Sequence, residues 1–324
     1  MGFDLLNLEP TKVSRDLSGY ITYIYGVPKV GKTTFGSQMP QSLLIAFEKG
    51  YNAIDGIMKV DINTWGQFKE LMRELKKPEV QKMYKSLVID TIDIAAALCD
   101  KYICNQLGIE NLGDGGWSVN GWAKYKKEFE DAFRSLTMMG YAVLFISHSQ
   151  DKSFKKKDGT EYNQIVPTAQ KSVNDIAKAM ADIYACADIV GGERKLILRS
   201  TDGEYDVGCR FKYIDPVINF SYQDLVDALN AAIDKQAAET GGKYVTDERT
   251  TVSMEPTYNY DELIEEFNNL ISPLMMKNEA YYRPRIASIV EKYLGRGKKI
   301  GDTTPTQAEF IHLINTEIKE DLMK

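Results

Sequence analysis

The sequence predicts an α/β protein with a mainly parallel sheet covered by helices, followed by a small helical C-terminal domain. Short apolar, strand-like runs alternate with helical segments from residue 20 to residue 150. That alternation is typical of a parallel sheet with helices on both faces. A polar stretch without apolar periodicity follows at 236–257, before three more helical segments. We therefore predict a core at 1–235, a linker at 236–257 and a helical domain at 258–324.

The first strand, loop and helix form the most specific pattern in the chain. Residues 20–25 are β-branched and aromatic, which favours a strand, and 33–39 can form a helix that Pro40 ends. Between them lies a full match to G-x-x-x-x-G-K-[ST]. In that pattern the loop aims backbone N–H groups at phosphates, the lysine reaches the β- and γ-phosphates, and the hydroxyl ligates Mg²⁺. The residues predicted to bind a nucleotide are Gly26, Val27, Pro28, Lys29, Val30, Gly31, Lys32, Thr33 and Thr34.

The elements up to residue 150 continue the alternation. The stretch 64–76 places its apolar residues on one helical face, whereas 108–121 is rich in glycine and predicts a loop. The remaining predictions here are strands at 42–47, 87–90 and 141–146, and helices at 92–107 and 122–139.

After residue 150 the pattern changes. Residues 151–168 are polar and rich in lysine, which predicts a mobile loop. Asp202-Gly203 predicts a turn between strands, so part of this region should be antiparallel, and Ser221 is a plausible N-cap. The predicted elements are helices at 169–182, 221–235, 258–277, 279–294 and 304–321, and strands at 183–190, 195–201 and 208–213.

Composition excludes several classes of protein. The 324 residues contain no run of 18 apolar residues and no apolar leader, so we expect neither a membrane segment nor a secretory signal, and a cytoplasmic location. Four scattered cysteines and two histidines do not favour a zinc site, and the cysteines are expected to be reduced. A net charge of −6 argues against a uniformly basic protein but allows a local basic patch.

Three polar residues follow predicted strands. Asp90 ends the strand 87–90, as a carboxylate that holds Mg²⁺ opposite Thr33 would; capping of the next helix is the alternative. Glu48 follows the second strand, where it could activate the attacking water, or be a solvated charge. His148 follows the strand 141–146, at the ligand-binding edge of a parallel sheet. It could read the γ-phosphate, or be an ordinary polar residue at a strand end.

These residues, in this order, resemble the RecA-like ATPase superfamily, and within it phage-encoded ATP-binding proteins that include single-strand annealing recombinases. The resemblance covers roughly 18–235 and implies ATP and Mg²⁺ as cofactors, Glu48 as catalytic base, and coupling of ATP to DNA at the tip of strand four. His148 stands there instead of the glutamine of RecA. The resemblance also implies a ring or filament, with a cation supplied by the neighbouring subunit; Arg199 and Arg210 are the nearest matches.

RecA-like proteins bind single-stranded DNA through two loops, and both positions have suitable chemistry here. The loop 113–122 carries Trp117 and Trp122, which could stack on bases. Packing of both tryptophans on the core is the alternative that we favour, particularly for Trp122 at the start of a helix. The second position combines cations with an aromatic ring, as phosphates and bases require; a solvated hairpin tip is the alternative, because Lys-Lys-Asp-Gly also favours a turn. Its residues are Lys152, Phe154, Lys155, Lys156 and Lys157.

The predicted function is therefore an ATPase that binds single-stranded DNA and promotes annealing or strand exchange in phage recombination. The alternatives are a helicase-type motor or loader, and a nucleotide-gated regulatory module that does not bind DNA. A small-molecule kinase is disfavoured because 151–168 contains no arginine for a phosphate-clamping lid. The C-terminal helices could bind a phage or host replication or recombination protein, stabilise the oligomer, or contact DNA through Arg296, Lys298 and Lys299.

Overall fold

The computed structural model describes residues 7–8, 10–248 and 258–323. The chain divides into two compact units, Met1–Met254 and Glu255–Lys324. Its strands are β1 (Val13–Ser14), β2 (Ile21–Gly26), β3 (Ser42–Ala46), β4 (Met58–Asp61), β5 (Ser86–Asp90), β6 (Ala142–Lys155), β7 (Glu161–Pro167), β8 (Ile183–Val190), β9 (Glu193–Ile197), β10 (Gly208–Cys209), β11 (Val217–Asn219) and β12 (Val245–Thr246). Its α-helices are α1 (Lys32–Ser37), α2 (Trp65–Leu75), α3 (Pro78–Met83), α4 (Ile92–Leu107), α5 (Gly116–Val119), α6 (Gly121–Met138), α7 (Lys171–Met180), α8 (Tyr222–Thr240), α9 (Tyr260–Leu294) and α10 (Ala308–Leu322).

The first unit is built on a sheet that is mainly parallel, as predicted. Strands β4, β3, β5, β6, β2 and β8 lie side by side in that order, and each neighbouring pair runs parallel. β9 and β11 extend the sheet beyond β8 in antiparallel pairing. The carboxyl ends of the parallel strands therefore meet at one edge, where ligands bind in open α/β sheets.

Hydrophobic cores cover both faces of this sheet. Side chains of a strand alternate between faces, so Leu87 and Ile89 pack in one core and Val88 in the other. The first core contains residues of α2, α4, α6 and α7, such as Phe68 and Phe129. The second contains residues of α1 and α8. Burial on both faces explains why these strands are continuous apolar runs in the sequence.

The prediction of a mobile loop at 151–168 is wrong. β6 continues from the core through Lys155 and pairs antiparallel with β7, from Ser149 opposite Pro167 to Lys155 opposite Glu161. Asp158 and Gly159 form the turn, and Gly159 has a positive φ of 89°. The segment satisfies its backbone groups by pairing with itself, a non-local interaction that its polar composition does not reveal.

Smaller differences also concern elements whose partners are distant in sequence. β4 and α3 were not predicted, and the strands predicted at 195–201 and 208–213 are shorter than expected. The first half of the predicted linker is structured, because α8 continues to Thr240 and β12 pairs in parallel with β1. Residues 249–257 of that linker lie outside the described residues. Ser221 is the N-cap of α8 as predicted, since its side chain accepts a hydrogen bond from the Asp224 N–H.

The second unit contains α9, α10 and their own apolar core. The helical path of α9 is interrupted at Asn278, with φ −164° and ψ 91°, which matches the predicted division between 258–277 and 279–294. The core is formed by aliphatic side chains and one phenylalanine, including Leu263, Phe267, Ile311 and Ile314. Neither unit has, in its described part, a helix with the length and apolar character needed to span a membrane.

Candidate active site

The glycine-rich loop leaves β2 at the carboxyl edge of the sheet. Gly26 is in register with Ala187 of β8, and a Cβ on Gly26 would lie only 2.1 Å from the Ala187 carbonyl oxygen. Gly31 caps α1 with φ 109°, a backbone conformation that other residues rarely adopt. The two glycines of the motif are thus required for close strand packing and for the turn into the helix.

Lys32 lies across the inside of this loop. Its Nζ donates hydrogen bonds to the carbonyl oxygens of Gly26 (2.7 Å) and Val27 (3.0 Å). Burial lowers the pKa of the ammonium group, an effect that Asp90 and Glu48 partly oppose. The lysine is therefore held at the loop by carbonyl groups that phosphate oxygens could replace as partners.

Thr33 and Asp90 meet beside the loop. Thr33 Oγ1 donates a hydrogen bond of 2.6 Å to Asp90 Oδ2. Asp90 is 3% exposed, and this burial raises the pKa of its carboxyl group, while the hydrogen bond from Thr33 acts in the opposite direction. A hydroxyl and a carboxylate are hard oxygen donors, the kind that Mg²⁺ binds together with phosphates and water. The pair therefore fits the predicted metal-binding role.

Sheet register brings Glu48 and His148 together. Ala46 lies opposite Asp90, and Asp90 lies opposite Ile146. Glu48 follows Ala46 by two residues and His148 follows Ile146 by two residues, so both lie at the same level beyond the paired strands. His148 Nε2 is 3.4 Å from Glu48 Oε1, and both side chains are about one-third exposed. Their hydrogen bond is the main reason that the pKa of Glu48 lies below its ordinary value and that of His148 above it. The two residues form an ion pair when His148 is protonated.

One cavity joins these groups. Its volume is about 360 Å³, and it is open to the carboxyl edge of the sheet. The predicted metal and catalytic residues line it together with Gly50, Ala53 and Ile54. Six of the nine predicted phosphate-binding residues also line it, whereas Gly26, Val27 and Val30 do not. All the catalytic residues predicted from the sequence, Lys32, Glu48, Asp90 and His148, are therefore brought to one cavity.

Comparisons with known proteins agree with this arrangement. The family model AAA_24, described as an AAA domain, matches residues 18–211. The chain belongs to this family. It is also similar to the SPbeta prophage-derived uncharacterized protein YorG of Bacillus subtilis (strain 168), with 28% identity over 329 residues and 99% of each chain covered. A solved structure with similarity is the KaiC-like protein PH0186 of Pyrococcus horikoshii OT3, with TM-score 0.35, 16% identity, and 57% of this chain and 80% of that chain covered.

Membership of the AAA_24 family confirms the P-loop ATPase class. Together with the mainly parallel sheet and the helical C-terminal unit, it confirms the predicted fold class: an α/β P-loop NTPase core followed by helices. The match covers the strands β2, β3, β5 and β6, and the residues of the cavity lie on these strands or soon after them.

The two arginines predicted to act on a neighbouring subunit have hydrogen-bond or ion-pair partners within their own chain. Arg199 donates to the carbonyl oxygens of Cys209 and Phe211, the latter at 2.6 Å. Arg210 lies 3.3 Å from Asp182, whose carboxylate accepts from Ile21 N–H at the amino end of β2. Arg210 is thus at the edge of the sheet opposite to the cavity, and a role in trans stays a prediction for both residues.

Arg194 lies beside the phosphate loop and was not among the predicted site residues. A Cβ on Gly31 would be 3.5 Å from Arg194 Nη1. One sequence signal was available: Gly191-Gly192 follows the predicted strand 183–190 and turns the chain at the carboxyl edge of the sheet. The reach of Arg194 to the loop is a property of tertiary structure.

The residues predicted to contact DNA lie on the β6–β7 hairpin and on α5. Phe154 stacks on Tyr162 across the strands, with ring centroids 5.6 Å apart. Tyr162 was missed because only strand pairing places it opposite Phe154. Trp117 is 98% exposed, which contradicts packing on the core, and Trp122 is also more than half exposed. The lysines of the hairpin, Lys152, Lys155, Lys156 and Lys157, are exposed.

Proposed function

We propose that this protein is a phage-encoded ATPase that binds single-stranded DNA and promotes annealing or strand exchange in recombination. One observation supports it above all: β6 runs without interruption from His148, in the ATPase cavity, to the lysines and aromatic rings of the exposed hairpin. A single strand thus connects the nucleotide site to a surface suited to nucleic acid. Similarity to a prophage-derived protein supports the phage origin.

The residues of the cavity have distinct roles in this proposal. Mg²⁺, bound by Thr33 and Asp90, would neutralise charge on the β- and γ-phosphates. Lys32 binds the same phosphates and exchanges its carbonyl partners for them. Glu48, with a pKa below its ordinary value, is ionised at neutral pH and accepts the proton of the attacking water. His148 keeps Glu48 oriented through their hydrogen bond.

His148 is also fixed to the base of the hairpin. Its carbonyl oxygen accepts a hydrogen bond of 2.9 Å from Thr168 N–H, directly after β7. The Thr168 hydroxyl in turn donates to Asp93 Oδ1 at 2.6 Å, at the start of α4. A change in the contact between His148 and Glu48 on hydrolysis would therefore act on both strands of the hairpin.

One face of the hairpin has the chemistry of a single-strand binding surface. Lys152 Nζ lies 5.5 Å from the ring centre of Phe154, and Lys156 Nζ lies 5.7 Å from that of Tyr162. Stacked rings can bind bases without sequence preference, while the lysines neutralise phosphates. The exposed Trp117 on α5 adds a second stacking group in this proposal.

We propose a homo-oligomeric ring or filament, because the related ATPases complete their sites between subunits. The C-terminal helical unit, with its own core, is proposed to bind a phage or host replication or recombination protein. Neither role is needed for the first test, which concerns ATP and DNA alone.

The decisive experiment measures ATP turnover of the purified protein with and without single-stranded DNA, across a salt titration. The proposal predicts stimulation by DNA that fades with salt. Turnover that is indifferent to DNA would favour a nucleotide-gated regulatory module. Strand unwinding of a duplex with directionality, without annealing of complementary strands, would favour a helicase-type motor.

A pair of matched variants tests the hairpin itself. The double variant Lys152→Gln/Lys156→Gln removes two cations from the aromatic face, so the slope of log affinity against log salt should fall by about 1.4 for single strands. The control Lys76→Gln/Lys82→Gln removes the same charge from exposed positions near α2 and α3 and should keep the slope of the wild type. Equal slopes in both variants would exclude the hairpin as the DNA surface.

A further inference from the structure

Arg194 reaches the phosphate loop from the antiparallel edge of the sheet. β8 runs parallel to β2, with Ala187 opposite Gly26, so its carboxyl end lies at the edge that carries the phosphate loop. Gly191 and Gly192, both with positive φ, turn the chain there, and β9 returns antiparallel with Arg194 opposite Ile189. The fold therefore delivers this arginine to the loop from the same chain.

The alternation of β9 directs Arg194 toward the loop. Leu196 and Leu198 are fully buried in the core that contains Phe35 of α1. Arg194 is two residues before Leu196 on the same face of the strand, where the side chain extends past the core to Gly31. Nη1 lies 3.5 Å from the position of a Cβ on Gly31.

The backbone at this position is anchored. The Arg194 carbonyl oxygen accepts a hydrogen bond of 3.1 Å from Phe220 N–H. The Phe220 ring stacks on Phe35 of α1, with centroids 5.2 Å apart and planes 7° from parallel. The arginine is thus tied to the helix that follows the phosphate loop, which limits how far the guanidinium can move from it.

The guanidinium of Arg194 has no ion pair or hydrogen bond to any other group in the part of the chain that the structure describes. The neighbouring Lys195, by contrast, is paired with Glu193 and Asn219. An arginine is always charged, and here its guanidinium lies beside Gly31 of the phosphate loop. Arg194 is exposed to solvent, so its charge is available to an anion that the loop binds.

We propose that Arg194 binds the nucleotide of its own subunit, at the α- and β-phosphates. The strand order β9, β8, β2, β6, β5 places Arg194 on the side of the loop opposite to Asp90. Thr33 and Asp90 would hold the metal, which would supply charge neutralisation at the terminal phosphates, so the opposite side of the loop would face the phosphates nearer the ribose. The inference rests on nucleotide binding at the phosphate loop, as in the proposed function.

The assignment of Arg194 to the α- and β-phosphates has a direct consequence for nucleotide affinity. ADP and ATP share these two phosphates, so the loss of Arg194 should weaken both nucleotides by the same factor. A charge-assisted contact of this kind corresponds to roughly 10- to 100-fold in dissociation constant. A contact to the γ-phosphate would instead weaken ATP and leave ADP unchanged.

The test measures dissociation constants of ADP and ATP, in the presence of Mg²⁺, for the full-length protein. Arg194→Gln should weaken both by the same factor, and Arg194→Lys should weaken them less because it keeps a charge but loses the two-pronged contact. Arg73→Gln removes an exposed arginine from the last turn of α2 and should bind like the wild type. If the wild type binds ADP and Arg194→Gln binds it with the same affinity, the inference about Arg194 is overturned and the proposed function is not.

Two further outcomes separate the competing explanations. A wild-type protein that binds neither ADP nor ATP would overturn the proposed function together with this inference. Co-expression of the Arg194→Gln and Lys32→Ala variants tests whether the arginine acts in trans. In such mixed assemblies, the Arg194→Gln subunit has an intact phosphate loop, and the Lys32→Ala subunit has an intact arginine. Turnover at low ATP that rises above that of Arg194→Gln alone would overturn the assignment to its own subunit; no gain supports it.

Discussion

Replacement of Glu48 by glutamine tests the proposed chemistry most directly. Gln has the same shape, and its side-chain oxygen can still accept the hydrogen bond that His148 Nε2 makes across 3.4 Å. The backbone hydrogen bond from Glu48 N–H to the Asp90 carbonyl oxygen is unaffected. The variant therefore changes the basicity of one side chain and leaves its position and its neighbours in place.

The geometry supports Glu48 rather than Asp90 as the proposed base. Asp90 is almost fully buried, with its Oδ2 bonded to Thr33, whereas Glu48 is one-third exposed and ionised at neutral pH. Loss of a general base typically reduces the rate by about 10²–10⁴-fold, and 10² corresponds to about 2.7 kcal/mol in activation free energy. We expect a kcat at least 10²-fold lower, with ATP affinity within about threefold of the wild type.

The assay combines phosphate release at saturating ATP with equilibrium binding of ATP. His148→Gln serves as the comparison, because it leaves the carboxylate in the cavity and removes only the residue that orients it. Its kcat should fall by less than that of Glu48→Gln. A Glu48→Gln protein that hydrolyses ATP within about fivefold of the wild-type rate would refute the assignment of Glu48 as base.

Three further predictions address the loop, the ion pair and the strand packing. Lys32→Ala should reduce hydrolysis by on the order of 10³-fold, since the loop loses its phosphate-binding ammonium group; phosphate release measures it, and retained turnover would contradict the ATPase assignment. The pair of Glu48 and His148 stabilises the fold only while both side chains are charged. Because the pKa of His148 is raised, the stabilisation from its charge is complete below pH 6.5 and is lost above the raised pKa. Because the pKa of Glu48 is lowered, the stabilisation from its charge is complete above pH 4.5 and is lost only below the lowered pKa. His148→Gln should therefore lower the free energy of unfolding by about 0.5–1 kcal/mol near pH 5.5 and by almost nothing near pH 8.5 in urea denaturation; an equal loss at both pH values would contradict the pair. Gly26→Ala should destabilise by about 1–3 kcal/mol, because its Cβ would overlap the Ala187 carbonyl oxygen, whereas Gly208→Ala, where a Cβ meets open space, should change the thermal midpoint little.

Local sequence pattern determined the elements whose signals are contained within them. The helix at 92–107 and the strand at 183–190 have the predicted bounds, because an apolar face or a buried run is a property of neighbouring residues. The same holds for the phosphate loop, in which every functional group comes from eight consecutive residues. Its cradle forms wherever a strand leads through those glycines into a helix.

The features of the site that only the tertiary structure decided depend on the register between strands that are distant in the sequence. Glu48 and His148 are 100 positions apart in the sequence, and the parallel alignment of β3, β5 and β6 places them within 3.4 Å. A hairpin tip was an alternative for this region, but the strands β6 and β7 beyond residue 150 were not predicted for the same reason: polar strands form there by pairing with each other. Arg194 reached the loop because β8 and β9 run in opposite directions around a turn, and a linear pattern does not contain that geometry.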